Sequence, residues 1–518
     1  MKKIAWFTGL FLAITLCAAS VPADVKLPAV INNNMVLQRD MDVPLWGWAE
    51  PGEEVTVAID RRQVTVTAGS GGTWMVRLAP LQAGGPYEMT IRGHNTISLT
   101  NVMVGEVWLC SGQSNMEMKV AHCADSVNEI AEAFYPNIRL FQVTNAVAPD
   151  PLDDCEAEWQ VCRPSTVGDF SGTAYFFGRE IMRKLDVPVG LIHASWGGTP
   201  IEPWMSREAF AAHPEFNSTL LKWGPVLDGK PLEAVAYYAR MGRWIEDLYY
   251  ALNVGKPFPV PIQPPDSPVE LSACPSMPIW VYNAMVAPLV PFAIRGAIWY
   301  QGESNAGHAF QYRKLFPAMI ENWRSRWGQD DFSFVYVQLA NYMKPDAEPS
   351  ECAWAELREA QLMTLTLPQT AMAVTIDIGE AEDIHARNKQ DVGRRLALGA
   401  LKVAYRKGVI HSGPLYDSMN VQDGKVHIRF TEMGSGLMVK GDGPLRGFAI
   451  AGEDKQFVWA EAKIEGDEVV VWSDEVPQPL AVRYAWANNP ACNLFNRERL
   501  PASPFRTDTW PGVTENNR

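Results

Sequence analysis

The hydrophobic pattern of the chain changes near residue 100. Before that point, short runs of β-branched residues such as Val55-Thr-Val-Ala-Ile59 and Gln63-Val-Thr-Val-Thr67 alternate with turn residues such as Glu50-Pro-Gly52 and Gly69-Ser-Gly-Gly72. Short strands separated by frequent turns are typical of an antiparallel sandwich. We therefore predict a small β-sandwich domain over residues 24–103.

Continuous apolar runs follow, and stretches with helical periodicity alternate with them. The predicted strands are Glu106–Leu109, Gly190–Ala194, Gly296–Tyr300, Phe332–Gln338 and Ala371–Ile376. The predicted helices are Thr173–Lys184, Phe310–Trp327, Trp354–Thr364 and Asp391–Arg406. Buried strands joined by helical crossovers form a parallel, doubly wound sheet. We expect such an α/β domain over residues 104–406.

Two further segments depart from this alternation. Residues 206–280 contain no evident strand, but a helical period over 232–252 and a proline-rich stretch over 257–268, so they are interpreted as an insertion. Residues 407–518 are β-rich, and they form either a sandwich of their own or part of the N-terminal one. Their predicted strands are Lys425–Phe430, Glu468–Trp472 and Ala481–Tyr484.

Composition and charge exclude some classes of partner. The chain of 518 residues is 47% hydrophobic and 20% charged, which is ordinary for a soluble globular protein. Its formal charge is −14, with both signs mixed along the sequence. An acidic surface argues against nucleic acid and anionic membranes as partners. The sequence does not predict an oligomeric state.

The first 23 residues have the pattern of a signal peptide. Lys2 and Lys3 precede an apolar run over 4–16, and a small residue at Ala23 suits cleavage before Asp24. This predicts export to the periplasm or the extracellular space. A lipoprotein anchored at Cys17 is disfavoured because bulky Leu16 precedes it. No segment of the mature chain is long and apolar enough to predict a membrane span.

The cysteines do not indicate a metal site. Cys17 is one of eight cysteines, so seven remain in the mature chain, and none forms the CxxC pair of a zinc ribbon or thioredoxin-like site. Cys155 and Cys162 are near enough in sequence to close a small disulfide loop. No histidine has a carboxylate at convincing metal-ligand spacing, so we expect neither a catalytic metal nor a cofactor.

Polar, glycine-containing loops follow four of the five predicted strands. They are Ser111-Gly-Gln-Ser-Asn-Met116, Ser195-Trp-Gly-Gly-Thr199, Gln301-Gly-Glu-Ser-Asn305 and Gly379-Glu-Ala-Glu-Asp-Ile-His385. Ligands bind beyond the carboxyl ends of the strands in an open parallel sheet. The four loops therefore predict a single site at one edge of the sheet.

Two of these loops offer the nucleophile and oxyanion donors of an acyl-transfer site. Ser114 stands at a strand-to-helix junction, where its own backbone N–H can face a developing oxyanion. Gly198 can bring a second N–H close because it lacks a side chain. Gln301 or Asn305 can add a side-chain amide donor. Met116 stands where a Gly-x-Ser-x-Gly elbow has its second glycine, which argues against an α/β-hydrolase.

The base and its acidic partner come from the other two loops. His385 is the candidate base for Ser114, and Asp383 or Glu303 can orient its imidazole. The two carboxylates could instead serve a glycosidase, but Ser114 and the oxyanion donors would then have no role. His193 lies inside a predicted strand and is interpreted as a core residue.

Three more residues are weaker candidates for contact with the substrate. Asn115 follows the nucleophile, Trp196 lies in the second loop, and His308 follows the third. Tryptophan faces can stack on sugar rings, although most tryptophans serve packing.

Several long motifs occur in the order found in a known family. The segments are Gly105–Met116, Ser195–Thr199, Trp299–Ala306 and Asp383–Lys389, with Met35–Gln38, Pro44–Trp48, Asn488–Pro490 and Leu500–Asp508 outside the core. The chain thereby resembles the sialate O-acetylesterases of the SGNH hydrolase superfamily along nearly its whole mature length. The resemblance implies a flavodoxin-like three-layer α/β/α core with β-sandwich regions at both ends.

The resemblance also implies a metal-free serine mechanism. Ser114 matches the nucleophile and His385 the base, while Gly198 and a polar side chain of the third loop match the oxyanion donors. The acid stays open among Asp383, Glu303 and Glu382, the last because the superfamily usually has its Asp three residues before the His. Ala386 stands where the family usually has proline, which loosens the expected loop without removing a catalytic group.

The first functional hypothesis is an exported esterase that removes O-acetyl groups from sialic acids. An esterase for acetylated xylan or another polysaccharide is the alternative within the same class. A carbohydrate-binding protein without activity is the alternative from another class, and the intact Ser114, His385 and Asp383 argue against it.

Overall fold

The computed structural model describes residues 24–216, 218–219 and 275–517. The predicted signal peptide lies outside the described residues, as do the helix over 232–252 and the proline-rich stretch over 257–268. No helix among the residues described is long and apolar enough to cross a membrane.

The N-terminal region consists of β-strands, as predicted. They are β1 (Val36–Gln38), β2 (Val43–Trp48), β3 (Glu54–Ile59), β4 (Arg62–Thr67), β5 (Thr73–Leu78), β6 (Gly84–Arg92) and β7 (Thr96–Gly112). β3 pairs with β4 and β6, β2 with β5 and β6 with β7, all antiparallel, whereas β1 and β7 form a parallel pair. β7 is 17 residues long and continues into the central sheet. The expected boundary between residues 103 and 104 therefore falls within one strand.

The central sheet has the order β13-β12-β11-β7-β10-β8-β9. Its further strands are β8 (Tyr135–Gln142), β9 (Trp159–Cys162), β10 (Val189–Ser195), β11 (Gly296–Tyr300), β12 (Ser333–Gln338) and β13 (Thr370–Val374). All pairs are parallel except β8 with β9 at the edge. The five predicted strands are confirmed. β8 was not predicted, because Pro136, Asn137 and Arg139 interrupt its apolar run.

Helices cover both faces of this sheet. They are α1 (Ser114–Glu117), α2 (Ser126–Ala131), α3 (Pro164–Val167), α4 (Gly172–Leu185), α5 (Arg207–Ala212), α6 (Ala309–Trp327), α7 (Ala353–Met363) and α8 (Lys389–Val403). Trp108 of β7 packs on Phe177 of α4 on one face, with ring centroids 5.0 Å apart. Trp299 of β11 packs on Trp323 of α6 on the other, at 5.8 Å. These contacts establish the three-layer arrangement.

The C-terminal region forms sheets of its own. Its strands are β14 (Leu415–Gln422), β15 (Lys425–Thr431), β16 (Leu437–Val439), β17 (Phe448–Ala451), β18 (Val458–Trp459), β19 (Glu461–Glu465), β20 (Glu468–Trp472), β21 (Ala481–Tyr484), β22 (Leu494–Asn496) and β23 (Phe505–Arg506). Two four-stranded antiparallel sheets enclose a separate apolar core that includes Val426, Val471 and Tyr484. The region thus does not join the N-terminal strands.

The disulfide considered between Cys155 and Cys162 is not formed. Both residues are free cysteines, and Cys162 is buried. Burial raises the pKa of each thiol to about 12, so both are protonated at neutral pH.

Candidate active site

Three neighbouring strands at the centre of the sheet end at the same register position. Gly112 of β7 lies opposite Ser195 of β10 on one side and opposite Tyr300 of β11 on the other. The chain order reverses here, since β8 and β10 lie on one side of β7 and β11 to β13 on the other. This switch point is where open α/β sheets bind ligands.

Ser114 is the first residue of α1 and follows directly from this point. The intervening Gly112 has φ +144°, and a Cβ atom there would lie 2.1 Å from the carbonyl oxygen of Tyr300. A side chain at this position is therefore excluded by its neighbour. The half-buried Ser114 lines a cavity of about 710 Å³.

The same cavity is lined by His385 and Asp383. The Oδ1 atom of Asp383 lies 3.3 Å from Nδ1 of His385 and accepts the backbone N–H of His385 at 2.8 Å. One carboxylate thus holds both the loop and the ring. The two side chains are 41% and 42% exposed, so solvent screens their charge interaction. Glu382, the third candidate acid, which lies three residues before His385, is exposed.

Two backbone N–H groups near Ser114 remain available. Neither the N–H of Ser114 nor that of Gly198 donates a hydrogen bond to the residues that the structure describes. The loop after β10 lies against the nucleophile, because a Cβ atom on Gly197 would be 3.4 Å from Cβ of Ser114. Gly198 has φ +76°, a left-handed conformation that favours glycine.

The two predicted amide donors make hydrogen bonds within the protein. Nε2 of Gln301 donates to Oδ1 of Asn305 at 2.7 Å and to the carbonyl of Thr199 at 3.3 Å. Nδ2 of Asn305 donates to Oε2 of Glu202 at 3.1 Å, while its Oδ1 also accepts the N–H of Ile201 at 2.9 Å. Both side chains are buried. They hold the second and third loops together, which engages both N–H groups of the Gln301 amide and one of the two of the Asn305 amide.

Asn115 and Glu303 belong to a buried network behind the cavity. Nδ2 of Asn115 donates to Oε1 of Glu303 at 2.6 Å and to the carbonyl of Ile384 at 3.0 Å, and its Oδ1 accepts from Nζ of Lys389 at 2.7 Å. Asn115 is 1% exposed. It therefore ties the nucleophile helix to the His385 loop and does not face the cavity, as a substrate contact would.

Burial dominates the electrostatics of this network. It raises the pKa of Glu303, whose Oε2 is buried without a hydrogen-bond partner among the described residues. It lowers the pKa of Lys389 to about 8. Glu303 thus accepts a hydrogen bond from Asn115, whereas Asp383 is the carboxylate in contact with His385.

The remaining predicted residues lie elsewhere. His308 lines a neighbouring cavity of about 270 Å³ together with Asn305. Trp196 is half-buried, and its backbone N–H donates to Gly112 at 3.1 Å. His193 is a core residue, as predicted, with ring nitrogens 2.5 Å from Gln142 and Ser195. Burial lowers its pKa to about 3. In the described part of the chain, no group of three or more His, Cys, Asp or Glu is placed to hold a metal.

Comparison with known proteins places this arrangement in a family. The family model described as "Carbohydrate esterase, sialic acid-specific acetylesterase" matches residues 104–253 and 279–402. A sialate O-acetylesterase of Rattus norvegicus is 31% identical, over 96% of this chain and 97% of its own length. The chain belongs to the sialate O-acetylesterase family. It is accordingly a carboxylic ester hydrolase, and the expected family resemblance is confirmed.

Other relatives of this family cover the chain equally well. The sialate O-acetylesterase of Homo sapiens is 30% identical over 98% of both chains. A solved structure of a carbohydrate acetylesterase from Xanthomonas citri is 38% identical, covers 94% of this chain and 100% of its own, and superposes with a TM-score of 0.80. The three-layer core and the β-rich regions at both ends are thus shared with a carbohydrate esterase.

Glu117 is a site residue of this esterase that sequence reasoning missed. Its Oε2 accepts the N–H of Gly197 at 2.8 Å, and its Oε1 accepts from Nδ2 of Asn145 at 3.1 Å. It also lines the Ser114 cavity. Residues three apart share a face of a helix, so its position three after Ser114 was the available signal.

Proposed function

We propose that this protein removes O-acetyl groups from sialic acids through an acyl-enzyme formed on Ser114. The observation that supports this most directly is the cavity at the switch point, which is lined by Ser114, His385 and Asp383. Membership of the family supports the substrate, since the matching family model is that of a sialic acid-specific acetylesterase.

In the proposed mechanism, His385 takes the proton of the Ser114 hydroxyl as its oxygen attacks the acetyl carbonyl. Asp383 orients the ring through Nδ1 and stabilises the imidazolium. The tetrahedral intermediate collapses when the sugar oxygen leaves with the proton from His385. Water then attacks the acetyl-enzyme, giving up its proton to His385, and acetate and the free serine are regenerated.

The oxyanion of each tetrahedral intermediate is stabilised by backbone N–H groups. Those of Ser114 and Gly198 are the free donors beside the nucleophile, and each such donor is typically worth roughly 3 kcal/mol in the transition state. The amides of Gln301 and Asn305 support these donors by fixing the loops.

The test is acetate release from 9-O-acetylated sialic acid and from acetylated xylan by the wild type and by Ser114→Ala. We expect the wild type to hydrolyse the sialic acid ester. In Ser114→Ala the rate of acetate release should fall by a factor of at least about a thousand. Ser70→Ala, an exposed serine of the N-terminal region, is the matched control. Full activity in Ser114→Ala would show that the nucleophile is another residue.

Hydrolysis of acetylated xylan alone would favour the second candidate, an esterase for neutral polysaccharides. One observation supports that candidate. The carbohydrate acetylesterase from Xanthomonas citri is 38% identical to this chain, compared with 31% for the sialate enzyme of Rattus norvegicus.

A further inference from the structure

The acidic groups in the lining of the Ser114 cavity are already paired. Glu117 accepts hydrogen bonds from Gly197 and Asn145 with its two oxygens. Asp383 is bound to the backbone and ring of His385. The contacted oxygens of both carboxylates are thus already engaged within the protein.

Lys119 and Arg387, two basic residues in the same lining, differ in whether they have an acidic partner. Nζ of Lys119 lies 2.8 Å from Oδ1 of Asp169 and is paired with it. The exposed side chain of Arg387 has no hydrogen bond or ion pair with any residue that the structure describes. Arg387 is therefore a basic group of the cavity lining whose guanidinium has no acidic partner among the described residues.

The backbone of Arg387 is nevertheless fixed. Its N–H donates to Oε1 of Glu380 at 2.9 Å, and its carbonyl accepts the N–H of Ala124 at 2.9 Å. The side chain thus starts from a defined position two residues after His385. A substrate whose ester lies between Ser114 and His385 presents the rest of its sugar within the same cavity.

We propose that Arg387 binds the carboxylate of the acetylated sugar and so selects sugar acids over neutral sugars. A guanidinium offers two parallel N–H donors that match a carboxylate, and a free one is set up for this pairing. Sialic acids carry such a carboxylate and the xylose units of xylan do not. This inference rests on the proposed function of Ser114 and adds the residue that determines specificity.

The experiment compares 9-O-acetylated sialic acid with its carboxyl methyl ester, which is uncharged but otherwise equivalent. For the free acid, Arg387→Gln should lower kcat/KM roughly tenfold, mainly through KM, because one charged pair is lost. For the methyl ester, the change should stay within about twofold, which also shows that the variant is folded. Arg387→Lys should recover part of the loss because it restores the charge without the planar fork.

Arg61→Gln removes the same charge from an exposed site in the N-terminal region and is the matched control. It should leave the preference for the free acid unchanged. An equal loss on both substrates, or none on either, would overturn the role of Arg387 alone. A wild type that hydrolyses acetylated xylan but not the sialic acid ester would overturn both proposals, so the two failures are distinguishable.

Discussion

At the scale of single residues, two carboxyl groups near His385 have different surroundings. Asp383 is half-exposed and contacts Nδ1 of the imidazole. The carboxyl of Glu303 is buried, its pKa is raised by desolvation, and it accepts from Asn115. A group that stabilises an imidazolium should be in contact with the ring, and Asp383 is the carboxylate that meets this condition.

Asp383→Asn is therefore expected to lower kcat more than Glu303→Gln does. Loss of the charge beside His385 should cost roughly 10- to 100-fold in kcat, because the imidazolium is less stabilised. In Glu303→Gln, the glutamine retains an oxygen that can accept from Asn115. The decrease in kcat of this variant should therefore be only about threefold or less. Steady-state kinetics with 4-nitrophenyl acetate measure both. A larger loss in Glu303→Gln would assign the acid to Glu303.

At the scale of elements, the site depends on how α1 is held against the loops around it. Asn115 connects this helix to the His385 loop through Ile384, and Glu117 connects it to the loop after β10 through Gly197. The Gly197 bond fixes the Trp196–Gly197 peptide, which is next to the peptide that carries the N–H of Gly198. Glu117 is thus a positioning residue for the proposed oxyanion donor.

Glu117→Ala is expected to reduce kcat roughly tenfold with little change in KM, because a hydrogen bond from an N–H to a charged acceptor contributes about 1.5–3 kcal/mol. Glu117→Gln should restore most of the activity, since its amide oxygen can still accept from Gly197. A purely structural role would instead lower the melting temperature of both variants without separating their kcat values. Equal kcat losses in the two variants would rule out this positioning role.

The strands that carry the site were predictable from the sequence, whereas the hydrogen-bond partners of the side-chain amides of Gln301 and Asn305 were not. β10, β11 and the second half of β7 are buried and largely apolar, and parallel strands bring their carboxyl ends together whatever the loops contain. The roles of Gln301 and Asn305 depend on contacts with Thr199 and Ile201, about a hundred residues away in sequence. Side-chain orientation of that kind leaves no periodic signal.

At the scale of the whole molecule, the C-terminal region braces the catalytic core. Nδ2 of Asn489 donates to the carbonyl of Met343 at 2.6 Å, and the N–H of Met343 donates to Ala381 in the loop that carries His385. Oδ1 of Asn489 accepts from Asn341 at 2.8 Å. The region therefore contributes to holding the base, although it lies outside the central sheet.

Arg358 of α7 is the most extensive of these connections. It is fully buried and donates to four carbonyl groups at 2.6–2.9 Å, two in the core and two in the C-terminal region. The acceptors are Leu339, Ala340, Ala487 and Asn488. Burial lowers the pKa of Arg358 to about 10, which still leaves it charged at neutral pH. The core and the C-terminal region thus share one buried cation.

Arg358→Met is expected to lower the free energy of unfolding by on the order of 3–5 kcal/mol, because it leaves buried carbonyls without donors. Thermal unfolding followed by circular dichroism should show a melting temperature lower by several degrees. Arg429→Met, which removes an exposed arginine paired with Glu468, should leave the melting temperature close to that of the wild type. If Arg358→Met unfolded at the wild-type temperature, this buried cation would not be what couples the C-terminal region to the core.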